Sequence, residues 1–315
     1  MKVYHTLDTY EPGARTVATI GTFDGVHIGH RAILQRLQDA ARTAGGESLL
    51  ISFHPHPRLV LFPENNPLRL LHTIDEKVAM LEALGLDKVL FIPFNWEFSR
   101  LPSRAFIQDI LIGQVRLHRI VIGYDHRFGK NRTGGIEELN LYAPDGGYTV
   151  EEIPAQTIDD AKVSSTKIRK ALAEGDVATA NRYLGYRYGI GGTVVHGEKQ
   201  GRKLGFPTAN LQPDDPLKLI PADGIYLVRV ATGSGRHWGL MNVGRKPTMG
   251  EFARGCEVYI LDFEGDLYGQ TLRVELVDYL RPEQKFGSID DLIAAMQQDK
   301  ARGRELIRTL YASVD

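Results

Sequence analysis

Gly21-Thr-Phe-Asp-Gly-Val-His-Ile-Gly-His30 is the segment from which the architecture of this chain can be worked out. It follows an apolar run at residues 16–20 and precedes an amphipathic pattern at residues 33–41, which predicts a strand, a glycine-rich turn and a helix. Backbone N–H groups and the positive end of the helix dipole converge at such a helix start and favour phosphate. His27 and His30 lie there, three residues apart, as candidate donors to charge building on a reacting phosphoryl group. Two surface histidines, or two metal ligands, are the alternatives.

Composition restricts the classes of function. The chain has 315 residues, 43% hydrophobic and 24% charged, which suits a globular protein of two ordinary domains. Lys and Arg number 38 against 39 Asp and Glu, so no overall basic field favours nucleic acid or a membrane as a partner. Cys256 is the single cysteine, which excludes an internal disulfide. With no signal-peptide pattern and no apolar run of membrane-spanning length, we expect a cytoplasmic protein.

Residues 15–155 alternate short apolar runs with amphipathic segments. This alternation is typical of an α/β layer with a largely parallel sheet. Ligands of such sheets bind beyond the carboxyl ends of the strands, so Gly21–His30 and Gly123–Gly129 should lie on one edge. The predicted strands are Val17–Ile20, Ser48–Phe53, Lys88–Pro93, Arg119–Gly123 and Tyr148–Ile153, and the predicted helices lie near Ile33–Ala44, Glu76–Leu84 and Arg104–Ile112.

The second half of the chain is rich in predicted strands. Short β-like runs separated by glycine-bearing turns begin near Tyr188 and indicate an antiparallel sheet or small barrel. A short helical piece, Ala173–Arg187, joins the two halves. Helical periodicity returns in Ser288–Tyr311, where Ser288 is a plausible N-cap and Gly303 is expected to mark a break. The predicted strands are Gly189–His196, Ile225–Ala231, His237–Val243, Glu257–Phe263 and Thr271–Tyr279.

Val163-Ser-Ser-Thr-Lys-Ile-Arg169 is a second candidate phosphate motif. Its hydroxyl side chains can cap a helix, and Lys167 and Arg169 then fall in the first turn. Cations oppose the helix dipole at that end, so their presence favours a bound anion. A capped surface helix is the alternative.

Gly201-Arg-Lys-Leu-Gly-Phe-Pro-Thr-Ala-Asn210 is the strongest motif of the second half. In an extended strand residues two apart face the same side, so Thr208 and Asn210 can direct oxygen atoms at one hard cation such as Mg²⁺. Taken alone, an ordinary turn is the alternative.

These motifs carry a family resemblance. His-x-Gly-His at residues 27–30 resembles the signature of the nucleotidylyltransferase superfamily. Together with Val163–Arg169 and Phe53-His-Pro-His-Pro57, it resembles the prokaryotic bifunctional riboflavin kinase/FAD synthetase family, and Gly192–Leu211 is similar to its kinase domain. The resemblance covers nearly the whole chain, with further motifs at Gly123–Gly134, Gly224–Tyr226, Asn242–Gly244, Glu257–Phe263, Gly265–Gly269 and Leu280–Phe286.

The resemblance implies two domains and two reactions. Residues 1–180 would form a Rossmann-like nucleotidylyltransferase domain with a parallel sheet, and residues 181–315 an antiparallel β-barrel riboflavin kinase domain with a terminal helix. The kinase would convert riboflavin to FMN with ATP, and the first domain would adenylylate FMN to FAD and release pyrophosphate. The expected partners are riboflavin, FMN, FAD and ATP, with Mg²⁺ as cofactor. A weak homo-oligomer is left open.

For the first domain the resemblance implies a set of site residues. His27 and His30 would act on the α-phosphoryl group, and Arg169 on the β- and γ-phosphates, as candidate catalytic residues. The ATP contacts would be Gly21, Phe23, Asp24, Gly29, Asp125, Ser165 and Thr166. The flavin pocket would be shaped by Phe53, Pro55, His56 and Phe62, for which ordinary packing is the alternative.

For the second domain the family resemblance implies that Glu257 is the general base that takes the proton of riboflavin's hydroxyl. A surface strand residue is the alternative for Glu257. Thr208 and Asn210 would be the metal ligands, and Arg281 and Phe286 would border the flavin. The ATP contacts would be Gly192, Gly197, Gly201, Lys203, Gly205 and Pro207.

Two positions depart from the family pattern. His126 stands where an aromatic such as Phe is usual, and Lys246 where Arg is usual, which loses the planar guanidinium. Two other functions remain: a different nucleotidylyltransferase with an accessory β domain, and a non-catalytic flavin-binding regulatory protein. A nucleic-acid-binding module is disfavoured because no basic stripe is visible.

Overall fold

Six strands of the first half form one parallel sheet. The computed structural model describes residues 1–64, 68–124, 126–154, 163–197, 201, 204–245 and 254–311. The chain divides into two units, Met1–Ser165 and Thr166–Asp315. In the first unit the strand order is β1-β4-β3-β2-β5-β6, and every pair is parallel. The strands are β1 Lys2–Tyr4, β2 Thr16–Ile20, β3 Glu47–His54, β4 Lys88–Pro93, β5 Leu117–Gly123 and β6 Thr149–Ile153.

The predicted α/β layer is therefore confirmed. Its middle strands are buried along nearly their whole length because helices cover both faces, which explains their uninterrupted apolar sequence. The helices of this unit are α1 Ile28–Ala44, α2 Pro57–Leu61, α3 Ile74–Ala83, α4 Trp96–Ser99, α5 Ser103–Ala105, which continues as a π-helix over Phe106–Gln114, and α6 Ile136–Gly146. Short 3₁₀ turns lie at Leu7–Thr9 and Lys130–Arg132.

Local signals explain where two of these helices begin and end. In α1 the apolar face, including Leu34 and Leu37, is buried, and the helix ends at Gly45 with a left-handed backbone (φ 61°). In α3 a capping box begins the helix: the Thr73 hydroxyl accepts the Glu76 N–H, and the Glu76 carboxylate accepts the Thr73 N–H. These helices pack against the sheet and fix the loops at its carboxyl edge.

The second unit is built around a closed antiparallel barrel. The strand order is β10-β11-β8-β7-β12-β9. The predicted antiparallel barrel and the predicted terminal helix are therefore confirmed. Its helices are α7 Ser165–Ala173, whose first residue belongs to the first unit, α8 Val177–Leu184 and α9 Ile289–Leu310. Its strands are β7 Gly189–Val195, β8 Ala209–Pro213, β9 Gly224–Thr232, β10 Gly235–Arg245, β11 Arg254–Ile260 and β12 Thr271–Arg281.

The expected break at Gly303 is wrong. Helix α9 begins at Ser288, whose hydroxyl accepts the Asp291 N–H as predicted, and it continues through Gly303 to Leu310. Gly303 is buried, and a Cβ there would stand 3.1 Å from a methyl carbon of Leu240 on β10. Glycine therefore lets the helix approach the barrel closely at this point. In the described part of the chain, no helix combines the length and the apolarity needed to cross a bilayer.

Candidate active sites

The glycine-rich turn between β2 and α1 has an unusual backbone. Strand β2 ends at Ile20 and its neighbour β5 ends at Gly123, so both following loops start at the carboxyl edge of the sheet, as predicted. In the turn Phe23 (φ 46°) and Val26 (φ 33°) both have positive φ. Bulky and β-branched residues rarely adopt this conformation, and each costs roughly 1–3 kcal/mol. The surrounding structure must therefore hold the turn.

Hydrogen bonds from distant parts of the chain supply that support. The Asp24 carboxylate accepts the backbone N–H groups of Leu71 and His72, each at 3.1 Å. The Ser165 hydroxyl donates to the Asp24 carbonyl at 2.8 Å. Lys77 donates from its ammonium group to the Thr22 carbonyl at 2.7 Å. Asp24 and Ser165, expected to contact ATP, thus brace the turn itself, and their contact with ATP stays a prediction.

His27 and His30 form a stacked pair. Their ring centroids are 3.7 Å apart with the planes 13° from parallel, and Phe23 stacks on the ring of His30 at 4.6 Å. His27 is the N-cap of α1, because its Nδ1 accepts the His30 N–H at 3.3 Å. An accepting Nδ1 carries no proton, so in neutral His27 the proton lies on Nε2. This nitrogen is then a hydrogen-bond donor.

Both rings are held neutral at pH 7. Burial lowers the pKa of His27 to about 4, against the opposing attraction of the Asp24 carboxylate. Burial also puts the pKa of His30 well below its usual value, and His27, Lys77 and His72 act in the same direction. The buried Nδ1 of His30 has no hydrogen-bond partner among the described residues. The Nε2–H of His27 can therefore donate a hydrogen bond to an anion without carrying charge, and the His30 ring stacked on it is neutral as well.

The other residues expected at this site lie on different elements: two in the turn and α1, and two on helix α7. Gly21 extends the β2–β3 ladder through its N–H, which donates to Ile51 at 3.0 Å, and Gly29 is buried in the first turn of α1. Helix α7 begins at Ser165, within the hydroxyl-rich segment predicted to start it, and has no acidic residue in its first turn. Lys167 falls in that turn as predicted, whereas Arg169 is the fifth residue of the helix and lies just beyond it. Thr166 and Arg169 lie on that helix and fall in the second unit. Asp125 lies outside the described residues.

An aromatic cluster lies beside the ends of β3 and β4. Phe53 contacts Phe94 and Phe98, and Phe98 contacts Phe106, with centroid distances of 5.7–6.2 Å. The cluster continues through Phe128 to His126, whose ring is stacked 6.0 Å from Phe128, so this departure keeps a flat ring in the stack. Apart from Phe53 and His126, none of these residues was predicted individually from the sequence to belong to a site. Aromatic residues just after predicted strands were the signal available for Phe94 and Phe98.

The remaining expected flavin residues have different surroundings. His56 caps α2, accepting the Arg58 N–H on Nδ1 at 3.1 Å, and Pro55 is exposed. Phe62 is 59% exposed, which leaves its ring accessible to a planar ligand. Trp96, which was not predicted from the sequence to belong to a site, has a similarly accessible ring, with 60% of the residue exposed. In the described ranges no three His, Cys, Asp or Glu side chains are grouped so that they could hold a metal ion.

In the barrel, β8 and β11 bring Asn210 and Glu257 together. The two residues are direct cross-strand partners, so their side chains point to the same face. Asn210 is buried and Glu257 partly buried. On the alternate face Val258 and Ile260 line a cavity of about 540 Å³, which Pro207 and Thr208 also line. The Asn210 amide and the Glu257 carboxylate therefore share one face of the barrel wall, and the Thr208 hydroxyl lies just before β8 at the cavity. Oxygen donors of these types fit Mg²⁺.

Two glycines lie against β8 and the segment that leads into it. A Cβ at Gly197 would collide with the Asn210 side-chain amide. A Cβ at Gly201 would collide with the Phe206 carbonyl and stand 3.2 Å from the Thr208 hydroxyl. Only glycine, which has no Cβ, allows the backbone to lie this close to the Thr208 and Asn210 side chains.

Other expected barrel residues have structural partners. Gly192 lies on β7, where a Cβ would collide with the Gln212 carbonyl of β8, and Gly205 has φ 81° in the turn after Gly201. Pro207 is exposed beside the cavity. Lys203 and Lys246 lie outside the described residues.

Arg281 is tied to the terminal helix. Its guanidinium donates to both carboxylate oxygens of Asp299, at 2.8 and 2.7 Å, and lies 5.8 Å from the Phe286 ring. Asp299 is 6% exposed. The pair joins the end of β12 to α9, and nothing local in the sequence marks Asp299 for this role. Any contact of Arg281 or Phe286 with a flavin stays a prediction.

Comparisons with known proteins agree with this architecture. Residues 11–167 match the family model for FAD synthetase, and residues 184–307 match that for riboflavin kinase. Three relatives carry the name bifunctional riboflavin kinase/FMN adenylyltransferase. The Pseudomonas fluorescens protein is 39% identical over 97% of this chain and 98% of its own. The Listeria monocytogenes protein is 34% identical over 98% of both, and the Escherichia coli K12 protein 36% identical over 93% of both.

A crystal structure also matches over nearly the full length. It is described as a macrolide-efflux protein from Streptococcus pneumoniae, with a TM-score of 0.85 and 29% identity over 96% of this chain and 98% of that one. A nucleotidylyltransferase-type α/β unit followed by a flavokinase barrel is the class of protein that the fold and the matches define. The chain belongs to the bifunctional riboflavin kinase/FMN adenylyltransferase family.

Proposed function

We propose that this chain makes FAD in two steps, phosphorylating riboflavin to FMN in the barrel unit and adenylylating FMN in the α/β unit. The observation that carries the proposal is that each unit has its own reactive group. The α/β unit has a neutral histidine pair at a strained glycine-rich turn, and the barrel has a carboxylate opposite the Asn210 amide. A non-catalytic flavin-binding protein would need neither arrangement.

In the α/β unit the histidines act as donors rather than bases. The phosphate of FMN attacks the α-phosphorus of ATP, the bond to the bridging oxygen breaks, and pyrophosphate leaves. The attacking phosphate is already anionic, so no group has to remove a proton. The Nε2–H of neutral His27 donates to an oxygen on which charge builds in the transition state, and His30 assists beside it.

The other residues of this site position the substrates. Arg169, Thr166 and Ser165 hold the β- and γ-phosphates, where a guanidinium can bind two oxygens at once. The turn that carries Gly21, Phe23, Asp24 and Gly29, together with Asp125, shapes the ATP site. The exposed ring of Phe62 and the ring of Phe53 contact the isoalloxazine ring of FMN, with Pro55 and His56 forming the adjacent wall.

In the barrel Glu257 accepts the proton of riboflavin's 5′-hydroxyl while the hydroxyl oxygen attacks the γ-phosphorus of ATP. The bond from the γ-phosphorus to the bridging oxygen breaks, and ADP leaves. Thr208 and Asn210 would hold Mg²⁺, which would neutralise charge on the phosphate oxygens. The backbone at Gly197 and at Gly201 lies against the Asn210 and Thr208 side chains, and in this proposal its N–H groups contact the phosphates of ATP. Lys203, Gly205 and Pro207 extend that contact.

The cysteine content of the chain bears on its cellular compartment. We place the enzyme in the cytoplasm, because its single buried cysteine needs no oxidising compartment. The kinase part is assigned to residues 181–315 and the adenylyltransferase part to residues 1–180. A weak homo-oligomer is tested by sedimentation of the purified protein over a range of concentrations.

The decisive assay resolves FMN and FAD over time by chromatography, starting from purified protein, riboflavin, ATP and Mg²⁺. Glu257→Gln should lower FMN formation by about 10²- to 10⁴-fold, as for loss of a general base, and leave FAD formation from supplied FMN intact. His30→Ala should do the reverse. If both activities fall together in folded protein, the two-site proposal is wrong; if neither product forms with the unaltered enzyme, the regulatory function is favoured.

A further inference from the structure

Lys77 is a buried cation in the α/β unit that none of the motifs includes. It lies in the first half of α3, is 9% exposed, and its ammonium lies 5.8 Å from the centroid of the Phe91 ring on β4. A buried lysine is costly, since desolvation disfavours its charge. Its placement therefore requires specific partners, and these lie in the strained turn.

The first partner is the peptide group that joins Thr22 to Phe23. Lys77 donates to the Thr22 carbonyl at 2.7 Å, and the Ser52 hydroxyl donates to the same oxygen at 3.3 Å. A carbonyl held from two sides fixes the orientation of its peptide plane. This plane is the one from which the positive φ of Phe23 is measured, so the two donors hold the strained rotation of that residue.

Ring contacts extend this constraint from Phe23 to the two histidines. Fixing Phe23 fixes the ring on which His30 stacks, and His30 in turn stacks on His27. A continuous path of direct contacts therefore joins the Lys77 ammonium to both histidines of the proposed adenylyl-transfer site. Lys77 also acts through space, because its positive charge opposes protonation of His30.

We infer that Lys77 is a positioning residue for adenylyl transfer: it locks the Thr22–Phe23 peptide, and thereby the His27–His30 pair, and keeps a positive charge behind that pair. The inference rests on the proposed function of the α/β unit. Burial lowers the pKa of His30, and the neighbouring His27, Lys77 and His72 lower it further. Burial also lowers the pKa of Lys77, and the Asp24 carboxylate opposes this by attracting the ammonium, as it attracts His27. Of these, Lys77 is the cation that also holds the turn.

The chain offers a matched control in Lys88. It is also buried, at 4% exposed, and its ammonium also lies 5.8 Å from an aromatic ring, that of Tyr10. Its other contacts are the Glu47 carboxylate at 2.7 Å and the Glu11 carbonyl at 2.9 Å. Lys88 begins β4, at the amino edge of the sheet, opposite the turn. Lys88→Met therefore removes a comparable buried cation without touching the histidines.

The experiment measures FAD formation from supplied FMN and ATP, as kcat, KM and a pH profile, in the full chain. Lys77→Met should lower kcat by about 10- to 100-fold, the effect of misplacing reacting groups by about 1 Å. Its acid limb should move to higher pH, because His30 protonates more readily without the neighbouring charge. Lys77→Arg should keep the acid limb of the unaltered enzyme, and riboflavin phosphorylation should be unchanged in every variant.

The outcomes separate the possibilities. Hydrogen exchange of β2 and α1 peptides checks that each variant is folded, and Lys77→Gln replaces Lys77→Met if the latter is not. The inference is overturned if a folded neutral variant keeps the kcat and acid limb of the unaltered enzyme, or if Lys88→Met produces the same changes. Absence of FAD formation by the unaltered enzyme would instead refute the proposed function.

Discussion

Acidification should destabilise the α/β unit selectively, through His27. The pKa of this histidine falls from 6.5 to about 4 on folding because the ring is buried. The folded state therefore binds fewer protons than the unfolded chain, and the stabilising contribution is complete above pH 6.5. It is lost as the pH falls from 6.5 towards 4. His30 shifts in the same direction, so it adds to the loss.

The size of the effect follows from the shift. One pKa unit corresponds to about 1.4 kcal/mol, so the whole contribution of His27 is about 3 kcal/mol. Between pH 7 and pH 5 about 2 kcal/mol of it should be lost, because the unfolded imidazole is almost fully protonated at the lower pH while the folded one is not. That loss lowers the protection factors of the most stable amides by about 30-fold.

Native-state hydrogen exchange with mass spectrometry measures this directly. Peptides from β2 and α1 should lose protection between pH 7 and pH 5 after correction for the intrinsic exchange rate, and His27→Gln should reduce the loss. Peptides from β9 and β12 of the barrel serve as the internal control. Equal loss in both units, or an unchanged loss in His27→Gln, would refute the argument.

Two further predictions concern the barrel unit. Arg281→Met should lower the free energy of unfolding by roughly 2–4 kcal/mol, since it leaves the buried Asp299 carboxylate without its bidentate partner, and the double variant Arg281→Met/Asp299→Leu should recover part of the loss in urea titrations. Gly201→Ala should raise the KM for ATP in riboflavin phosphorylation at least several-fold, because the new methyl group meets the Phe206 carbonyl. Gly233→Ala, where no atom lies within 4 Å of the added Cβ, is the control and should leave KM unchanged.

Most of the architecture could be predicted from local patterns. The five predicted strands of the first half all form. For the central strands the reason is that parallel strands buried on both faces require continuous apolar runs, whereas β6 is a partly exposed edge strand. Strand β1 was missed since its three residues are too few to produce a pattern. The break expected at Gly303 reflected helix propensity, whereas the close packing of α9 on β10 determines that position.

The candidate sites were predictable only in part. Sequence motifs indicated His27, His30, Asn210 and Glu257. The structure adds the ring stacking between the two histidines and the cross-strand pairing of Asn210 with Glu257. The braces of the turn are long-range contacts: Ser165 reaches Asp24 across 141 positions, and no spacing rule can show this.

The order of strands in the open sheet also bears on association with other chains. Its two edges are β1 and β6, and an unpaired edge is a template for further strands. Strand β1 is only three residues long and carries Lys2, while β6 carries Glu151 and Glu152, the first of which pairs with Arg36 and Arg119. Short length and charge make both edges poor templates, and the closed barrel pairs every strand on both sides. The folded chain therefore resists edge-to-edge association with other strands.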